Sequence, residues 1–339
     1  MNAIRVIHTS NEISEQDWSR FVLENKDGNI FQTPEMYRVF FDTEHYEPFF
    51  TALVNENGEI LAIMLGALIE EPGRFTRLFS RRIVVYGGPL ITENGNQDYL
   101  LRRILEAHNE NVKKRAVFTE IRNLVPRDEL QPQFELVGYK YIDHLNTFID
   151  LTSGTEKLWE NLQAKKRQGI RKAIKSGLTA CCLSLNDLDE FYLLIQDTYA
   201  LNKIPCPPKS LFKSVLSKLK HRDFVKTLGV RYQEKIIAVL VNLIYRDTIY
   251  AWYCGGNREY SRHHCNEFAF WTTIKWGVDN GFSLFDFGGA GRREEEYGVR
   301  DFKERLGGVT KEMGRFVYRH CRLRHKIATH GFKIWRFLQ

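Results

Sequence analysis

Residues 285–308 read FDFGGAGRREEEYGVRDFKERLGG. An apolar run that fits a strand, residues 282–287, enters a Gly288-Gly289-Ala290-Gly291 turn. Five charges follow in succession, and a Gly307-Gly308 pair closes the stretch. A strand that ends in glycines beside a charged loop suits a phosphate loop, an acyl-transfer site or a surface hairpin. The nucleotide-binding form of the first is excluded, since no Gly-Lys-Ser/Thr follows and Gly-x-Gly-x-x-Gly is absent. Glycines at 288, 289 and 291 permit positive φ and let a substrate approach the main chain. Asp286, inside the apolar strand, is either a general base with a pKa raised by burial or a carboxylate that accepts backbone hydrogen bonds from the glycine turn. Arg292 and Arg293 are placed to meet a substrate phosphate. The three glutamates after them mark a solvated loop, expected to close over substrate as a lid.

Working outward, the strand follows a helix pattern at 266–281 and a run of strands at 224–256 with a hairpin at Gln233-Glu234-Lys235. The first half shows the same plan. Residues 14–24 form a helix pattern with Ser14 as N-cap, and Thr33-Pro34 opens a second helix. Strands with a hairpin at Glu56-Asn57-Gly58 come next, then a helix over 97–114 and an alternating strand in VFTEIRNLV (117–125). Helix, helix, hairpin, strand, helix, strand thus occurs twice without shared sequence identity. This predicts an α/β (α+β) fold of two tandem domains, each a mixed sheet flanked by helices. The strand HLNTFIDL (144–151) is assigned to the first domain and Thr152-Ser153-Gly154 to a boundary. The expected limits are 1–151 and 152–314, with 315–339 as a basic, aromatic tail.

The 339 residues allow two domains, and no apolar run approaches the roughly 20 residues that span a bilayer. The N-terminal residues lack the apolar core of a signal peptide. The six cysteines form no CxxC pair, which suits reduced thiols in a cytoplasmic protein. His263-His264-Cys265 has no further ligand at helical spacing, so no metal site is expected. A net charge of +7 favours an anionic partner. Positive charge gathers in AKKRQGIRKAIKSG (164–177), where Arg167, Arg171 and Lys175 share a helix face. It gathers again after Glu312, where no acid follows. That tail, with Phe332, Ile334, Trp335, Phe337 and Leu338, suits either an anionic membrane surface or packing on the protein.

Four pieces of the second half carry a family resemblance: LWENLQAKKRQGIRKAIKSGL (158–178), IAVLVNLIYRDTIYAWYCGGN (237–257), FAFWTTIKWGVDNGFSLFDFGG (268–289) and GVRDFKERLGG (298–308). In order and spacing they resemble the FemABX group, the non-ribosomal peptidyl and aminoacyl transferases of cell-wall synthesis. FQTPEMYRVFF, VVYGGPLI and VFTEIRNLV fit more loosely, so the likeness spans roughly residues 30–315. The resemblance implies tandem GNAT-type acyltransferase domains with a cleft between them, in the form that lacks a coiled-coil arm. It also implies transfer of an activated acyl group, often an aminoacyl-tRNA ester, to an amine on a cell-wall or envelope precursor. Such a precursor can be lipid-linked, which places the protein at the inner face of the membrane.

Amide formation from an ester needs a neutral amine, an oxyanion stabiliser and positioning, but no protein nucleophile. The sequence has no Gly-x-Ser-x-Gly. Lys303 stands where the family motif has its lysine. The resemblance implies a cation that holds an acceptor carboxylate or phosphate, or steadies the oxyanion. Without the resemblance, Lys303 reads as a solvated lysine between Asp301 and Glu304, and Phe302 as core. Arg171 and its neighbours suit phosphate contacts with tRNA or a precursor diphosphate, against a plain solvated face. Trp252 and Tyr253 are acceptor-binding candidates, with at least one in the core because strand neighbours face opposite ways. Glu120 and Arg122 form either a substrate-facing acid–base pair or a structural ion pair. A CoA site needs a glycine-rich loop at a helix N-terminus. Residues 257–271, NREYSRHHCNEFAFW, hold no glycine, and ENGNQDYL (93–100) matches poorly. No bound cofactor is therefore expected, and aminoacyl-tRNA is favoured as donor. Acyl-CoA or acyl-carrier protein, or a non-catalytic polyanion-binding role, stay open.

Overall fold

Side-chain caps start the helices where the sequence predicts them. In the computed structural model, which describes residues 3–71 and 79–327, α1 (Glu15–Glu24) begins behind Ser14, whose Oγ accepts from the Asp17 N–H at 3.4 Å. Thr33 caps α2 (Pro34–Phe41) through the Met36 N–H at 3.2 Å. Gly58, at φ +81°, closes the hairpin between β2 (Tyr46–Val54) and β3 (Ile60–Ile69).

The chain forms two units, Met1–Asp143 with Met313–Gln339, and His144–Glu312. The first adds β1 (Arg5–Ile7), β4 (Arg82–Tyr86), β5 (Leu90–Ile91), α3 (Gln97–Val112), β6 (Phe118–Arg122), α4 (Gln131–Leu136), β7 (Lys140–Ile142) and β15 (Arg315–Arg319). Its sheet runs β1-β2-β3-β4-β6-β15-β7, with β5 beside β3. The crossover helix α3 places Leu101, Ile104 and Leu105 on Met64 and Leu68 of β3. Each such side chain is worth about 1.5–3 kcal/mol of burial.

The second unit holds β8 (Leu145–Asp150), α5 (Thr155–Asn161), α6 (Ala164–Lys175), β9 (Thr179–Cys182), α7 (Leu188–Leu201) and α8 (Lys209–Lys218). Then come β10 (Val225–Tyr232), β11 (Lys235–Tyr245), β12 (Thr248–Gly256), α9 (Cys265–Asp279), β13 (Leu284–Gly289), α10 (Gly298–Arg305) and β14 (Val309–Glu312). Its sheet order, β9-β10-β11-β12-β13-β8-β14, repeats that of the first unit. Helices cover both faces. Ala238 and Leu240 of β11 meet the core that holds α6 and α9, while Val239 and Val241 meet the core of α7 and α8. A central strand buried on both sides has this continuous apolar composition.

The two-domain α/β plan matches the expectation, but the boundaries differ. β8 pairs with β13 and β14, so HLNTFIDL belongs to the second unit. Thr152-Ser153-Gly154 is a turn within that unit, with the Asp150 carboxylate accepting from Thr152 N at 3.0 Å. Residues 315–319 are not tail: β15 pairs with β6 and β7 in the first sheet. Period-2 alternation fixes which face of a strand is buried, not which sheet it joins. Of the expected membrane-facing tail, Phe332, Ile334, Trp335, Phe337 and Leu338 lie outside the described residues.

Candidate active site

In the second unit β12 and β13 run parallel, yet they pair only at Thr248↔Leu284, Ile249↔Phe285 and Tyr250↔Asp286. Beyond that point the strands part, β12 running on to Gly256 and β13 to Gly289. Each carries a bulge there. Val241 of β11 opposes Tyr253 and Asn242 opposes Ala251, which leaves Trp252 as the extra residue of β12. On β13, Asp286 opposes Phe148 of β8 and Gly289 opposes Asn146, three steps against two. Bulges sharpen the local twist and free backbone groups from the ladder. The corresponding parallel pair of the first unit, β4 and β6, stays zipped from Arg82↔Phe118 to Tyr86↔Arg122.

Asp286 and Lys303 take up what the bulges free. Gly288, at φ +74°, donates its N–H to Asp286 Oδ1 at 2.6 Å. Lys303 Nζ donates to the Gly289 carbonyl at 2.7 Å and the Gly288 carbonyl at 3.2 Å. The expected turn-capping role of Asp286 is therefore present. The solvated reading of Lys303 is overturned, because the residue is 6% exposed and Asp286 is 3% exposed. Burial lifts the Asp286 carboxyl to about 6, against the Gly288 N–H and the Lys303 charge. Burial lowers the Lys303 ammonium to about 8, against Asp286 and Cys254. Between those values both groups are charged. An ammonium has three N–H donors, and two carbonyls leave one for a ligand.

The closing Gly-Gly anchors Lys303 from below. Gly307, at φ +85°, donates to the Glu304 carbonyl (2.9 Å) and Gly308 to the Lys303 carbonyl (3.1 Å). These two bonds make a Schellman end to α10. A Cβ at Gly308 would lie 2.4 Å from Thr147 Cγ2 and 2.8 Å from the Lys303 carbonyl oxygen. Gly308→Ala is expected to destabilise the chain by about 1–3 kcal/mol, read as a lower urea midpoint at unchanged slope. An unchanged midpoint would count against this packing.

Several further residues surround the pair. Tyr250, directly across from Asp286, has its phenol pushed up by burial and by the Asp286 charge. Phe302 packs edge-on to Phe270 at 5.6 Å, as expected of core. Lys166 of α6 reaches the Phe302 ring at 4.3 Å and pairs with Glu267 at 2.8 Å. Sequence reasoning passed over Tyr250 and Glu267, and read Lys166 only as one cation of the basic helix. One signal for Lys303 was available, since it shares a helix face with Leu306 and adjoins Phe302.

The other candidates have contacts of their own. Tyr253 joins the α7–α8 core, 5.2 Å from Phe212 and 5.9 Å from Tyr199. Trp252 packs on that same core. The expectation that the two face opposite ways fails because the bulge interrupts alternation. Arg171 is exposed and lies 5.4 Å over the Trp159 ring. Arg167 is turned back to the Glu160 and Leu162 carbonyls rather than shared with Arg171 and Lys175. Arg292 is exposed, and its carbonyl accepts from Arg300 at 2.7 Å. Arg300 also binds the Glu295 carbonyl, so the expected lid loop is tied at two points. Arg293 pairs with Glu312 at 2.6 Å. Residues 263–265 diverge: His263 lies against the Tyr232 ring, His264 faces Glu267 at 3.8 Å, and Cys265 is buried.

Glu120 and Arg122 belong to the first unit. Glu120 Oε1 accepts from Arg122 Nε at 2.5 Å and Arg315 Nη1 at 3.0 Å. Arg122 also donates to Tyr86 Oη at 3.0 Å. Burial alone would raise the Glu120 carboxyl, but the two guanidiniums hold it down at about 2. This is the ion-pair alternative, a cross-strand clamp between β6 and β15.

Residues 164–304 match the family described as acetyltransferase (GNAT) domain. No curated protein matches the chain. Among solved structures, that of FemX is 15% identical, covers 95% of this chain and 99% of its own, and superposes with a TM-score of 0.71. A tandem GNAT protein from the clavulanic acid biosynthesis pathway is 8% identical, with coverage of 94% and 99% and a TM-score of 0.63. L-PGS from Bacillus licheniformis is 16% identical, with 94% and 96% coverage and a TM-score of 0.59. The fold is the tandem GNAT fold that the sequence resemblance implies. The domain match supports the acyltransferase class, and FemX has the same fold along nearly the whole chain.

Proposed function

We propose that the second unit forms an amide, passing an aminoacyl or acyl group from an activated donor to an amine on a cell-wall or envelope precursor. The observation that carries this reading is the opened β12–β13 wedge with the Lys303 ammonium and the Asp286 carboxylate at its apex. The Asp286 carboxylate takes a proton from the acceptor ammonium. The neutral amine attacks the donor carbonyl carbon and forms the C–N bond. The remaining Lys303 N–H faces the oxyanion. As the C–O bond to the donor breaks, the new amide nitrogen gives up its extra proton, and the leaving oxygen takes it up.

Aminoacyl-tRNA is the favoured donor, with no bound cofactor. A CoA pyrophosphate would need the positive end of α9. Glu267 stands in the first turn of that helix, paired with Lys166. Lys165, Arg171, Lys172 and Lys175 are exposed on α6 and suit tRNA phosphates. Among the described residues no helix is long and apolar enough to cross a membrane. The proposed location is the cytoplasm, at the inner membrane face when the acceptor is lipid-linked. A thioester donor, CoA or carrier protein, is the second reading, and a non-catalytic polyanion-binding role the third.

A donor test separates them. The chain is incubated with charged bulk tRNA or with mixed acyl-CoA, each with a pool of envelope precursors, and acceptor mass gain is read by mass spectrometry. RNase-sensitive gain is the expected result. Gain with CoA alone would transfer the activity to the second reading. No gain with either donor would favour the third.

A further inference from the structure

The first unit carries a second charged feature that the acyl-transfer reading leaves unused. The parallel strands β4 and β6 begin, and the antiparallel β15 ends, at one end of the sheet: Phe118 of β6 is the register partner of both Arg82 on β4 and Arg319 on β15. A pocket of about 330 Å³ opens at this end. Five of its lining residues, Arg81, Lys113, Lys114, Arg115 and Arg324, are cations, and none is an acid. Glu70 holds Arg81 at 3.0 Å, Glu47 holds Arg115 at 2.5 Å, and Glu110 pairs with Lys113. Lys114 and Arg324 have no ion-pair partner among the described residues, so two positive charges stay uncompensated. The C-terminal end of α3 attracts Lys113 and Lys114 on its own account. It does not explain Arg81 and Arg324, which arrive from other segments.

The residues that supply Arg324 also present an apolar face. Residues 322–327 are helical. His325 turns inward, edge-on to Phe118 at 5.0 Å. Leu323 and Ile327, one turn apart on the opposite side, are 70% and 47% exposed. At 100° per residue Arg324 and Lys326 flank that pair. Aliphatic side chains between exposed cations are the pattern of a helix lying in a membrane interface. A soluble phosphate or an RNA would account for the cations but gives no reason for the exposed Leu323 and Ile327.

We propose that this pocket and helix dock on an anionic phospholipid surface, with a headgroup phosphate between Lys114 and Arg324 and with Leu323 and Ile327 among the acyl chains. The inference is independent of the acyl-transfer reading. The test is co-sedimentation of the full chain with phosphatidylcholine vesicles, with and without phosphatidylglycerol. The expected result is pelleting with phosphatidylglycerol alone, weakened by salt. Lys114→Glu with Arg324→Glu should lower partitioning at least about tenfold, and Leu323→Ser with Ile327→Ser should lower it separately. Melting curves accompany each variant. Lys114→Gln with Arg324→Gln replaces the charge reversal if that variant melts early. Equal pelleting of wild type and charge variants, or none on anionic vesicles, would overturn the proposal. Two further outcomes would also overturn it. One is thermal protection by inorganic phosphate without vesicle binding, which assigns the pocket to a soluble phosphate. The other is retention on structured RNA without vesicle binding.

Discussion

Lys303→Ala is expected to lower kcat/KM for amide formation by about 10²–10³, the usual cost of one oxyanion donor. The same change leaves the Gly288 and Gly289 carbonyls without their donor, which costs about 1–3 kcal/mol of stability. The pH profile separates the two effects. In the wild type, activity should rise as Asp286 ionises through about 6 and fall as Lys303 loses its proton through about 8. Without Lys303 the falling limb has no origin. Asp286 also loses a cation that held its pKa down, so the rising limb moves to higher pH. A variant with lower stability and activity but both limbs in place would reduce Lys303 to a brace for the glycine turn.

Glu120→Gln is expected to destabilise the first unit by about 3 kcal/mol, the range for removing one partner of a buried ion pair. Charge reasoning agrees in sign. Glu120 is held at about 2, below its ordinary value of 4.5, a shift on the order of 3 kcal/mol. Because the folded value is the lower one, this contribution is present above the unfolded pKa and is lost as pH falls through about 2. Arg315 pulls the other way: burial and the facing Arg122 lower its guanidinium to about 10. The net contribution of the clamp is therefore smaller than Glu120's share. Removing Glu120 still leaves two guanidiniums facing one another. Urea melts of the variant at pH 7 and pH 3 are the check. The deficit should shrink at the lower pH, and a deficit independent of pH would contradict the ionic account.

How much of this was legible depended on the range of the interaction. Ser14, Thr33 and Gly58 act on residues two to four positions away, and the sequence places their elements correctly. Trp252 and Tyr253 defeat the alternation rule because a bulge inserts one residue, and nothing in AWYCGG announces it. Lys303 reads as solvated because Asp301, Glu304 and Arg305 around it are charged. Its burial comes from glycine carbonyls 14 and 15 residues away. Glu120 and Arg122 show their pairing in sequence but not Arg315, 195 residues beyond Glu120. Strand membership failed in the same manner at β8 and β15. The GNAT plan itself was legible, since it rests on the order of elements rather than on their partners.

The placing of β15 bears on how the chain is made. Synthesis proceeds from the N-terminus, yet the first sheet needs a strand that emerges only after the whole second unit has been translated. Until residues 315–319 leave the ribosome, β6 and β7 lack the neighbour that joins them, and both present open hydrogen-bonding edges. The second unit requires nothing beyond Glu312 and can close earlier. The nascent first half waits with an edge that invites pairing with other chains, and a ribosome stalled shortly before codon 315 would release a polypeptide whose first half cannot finish folding.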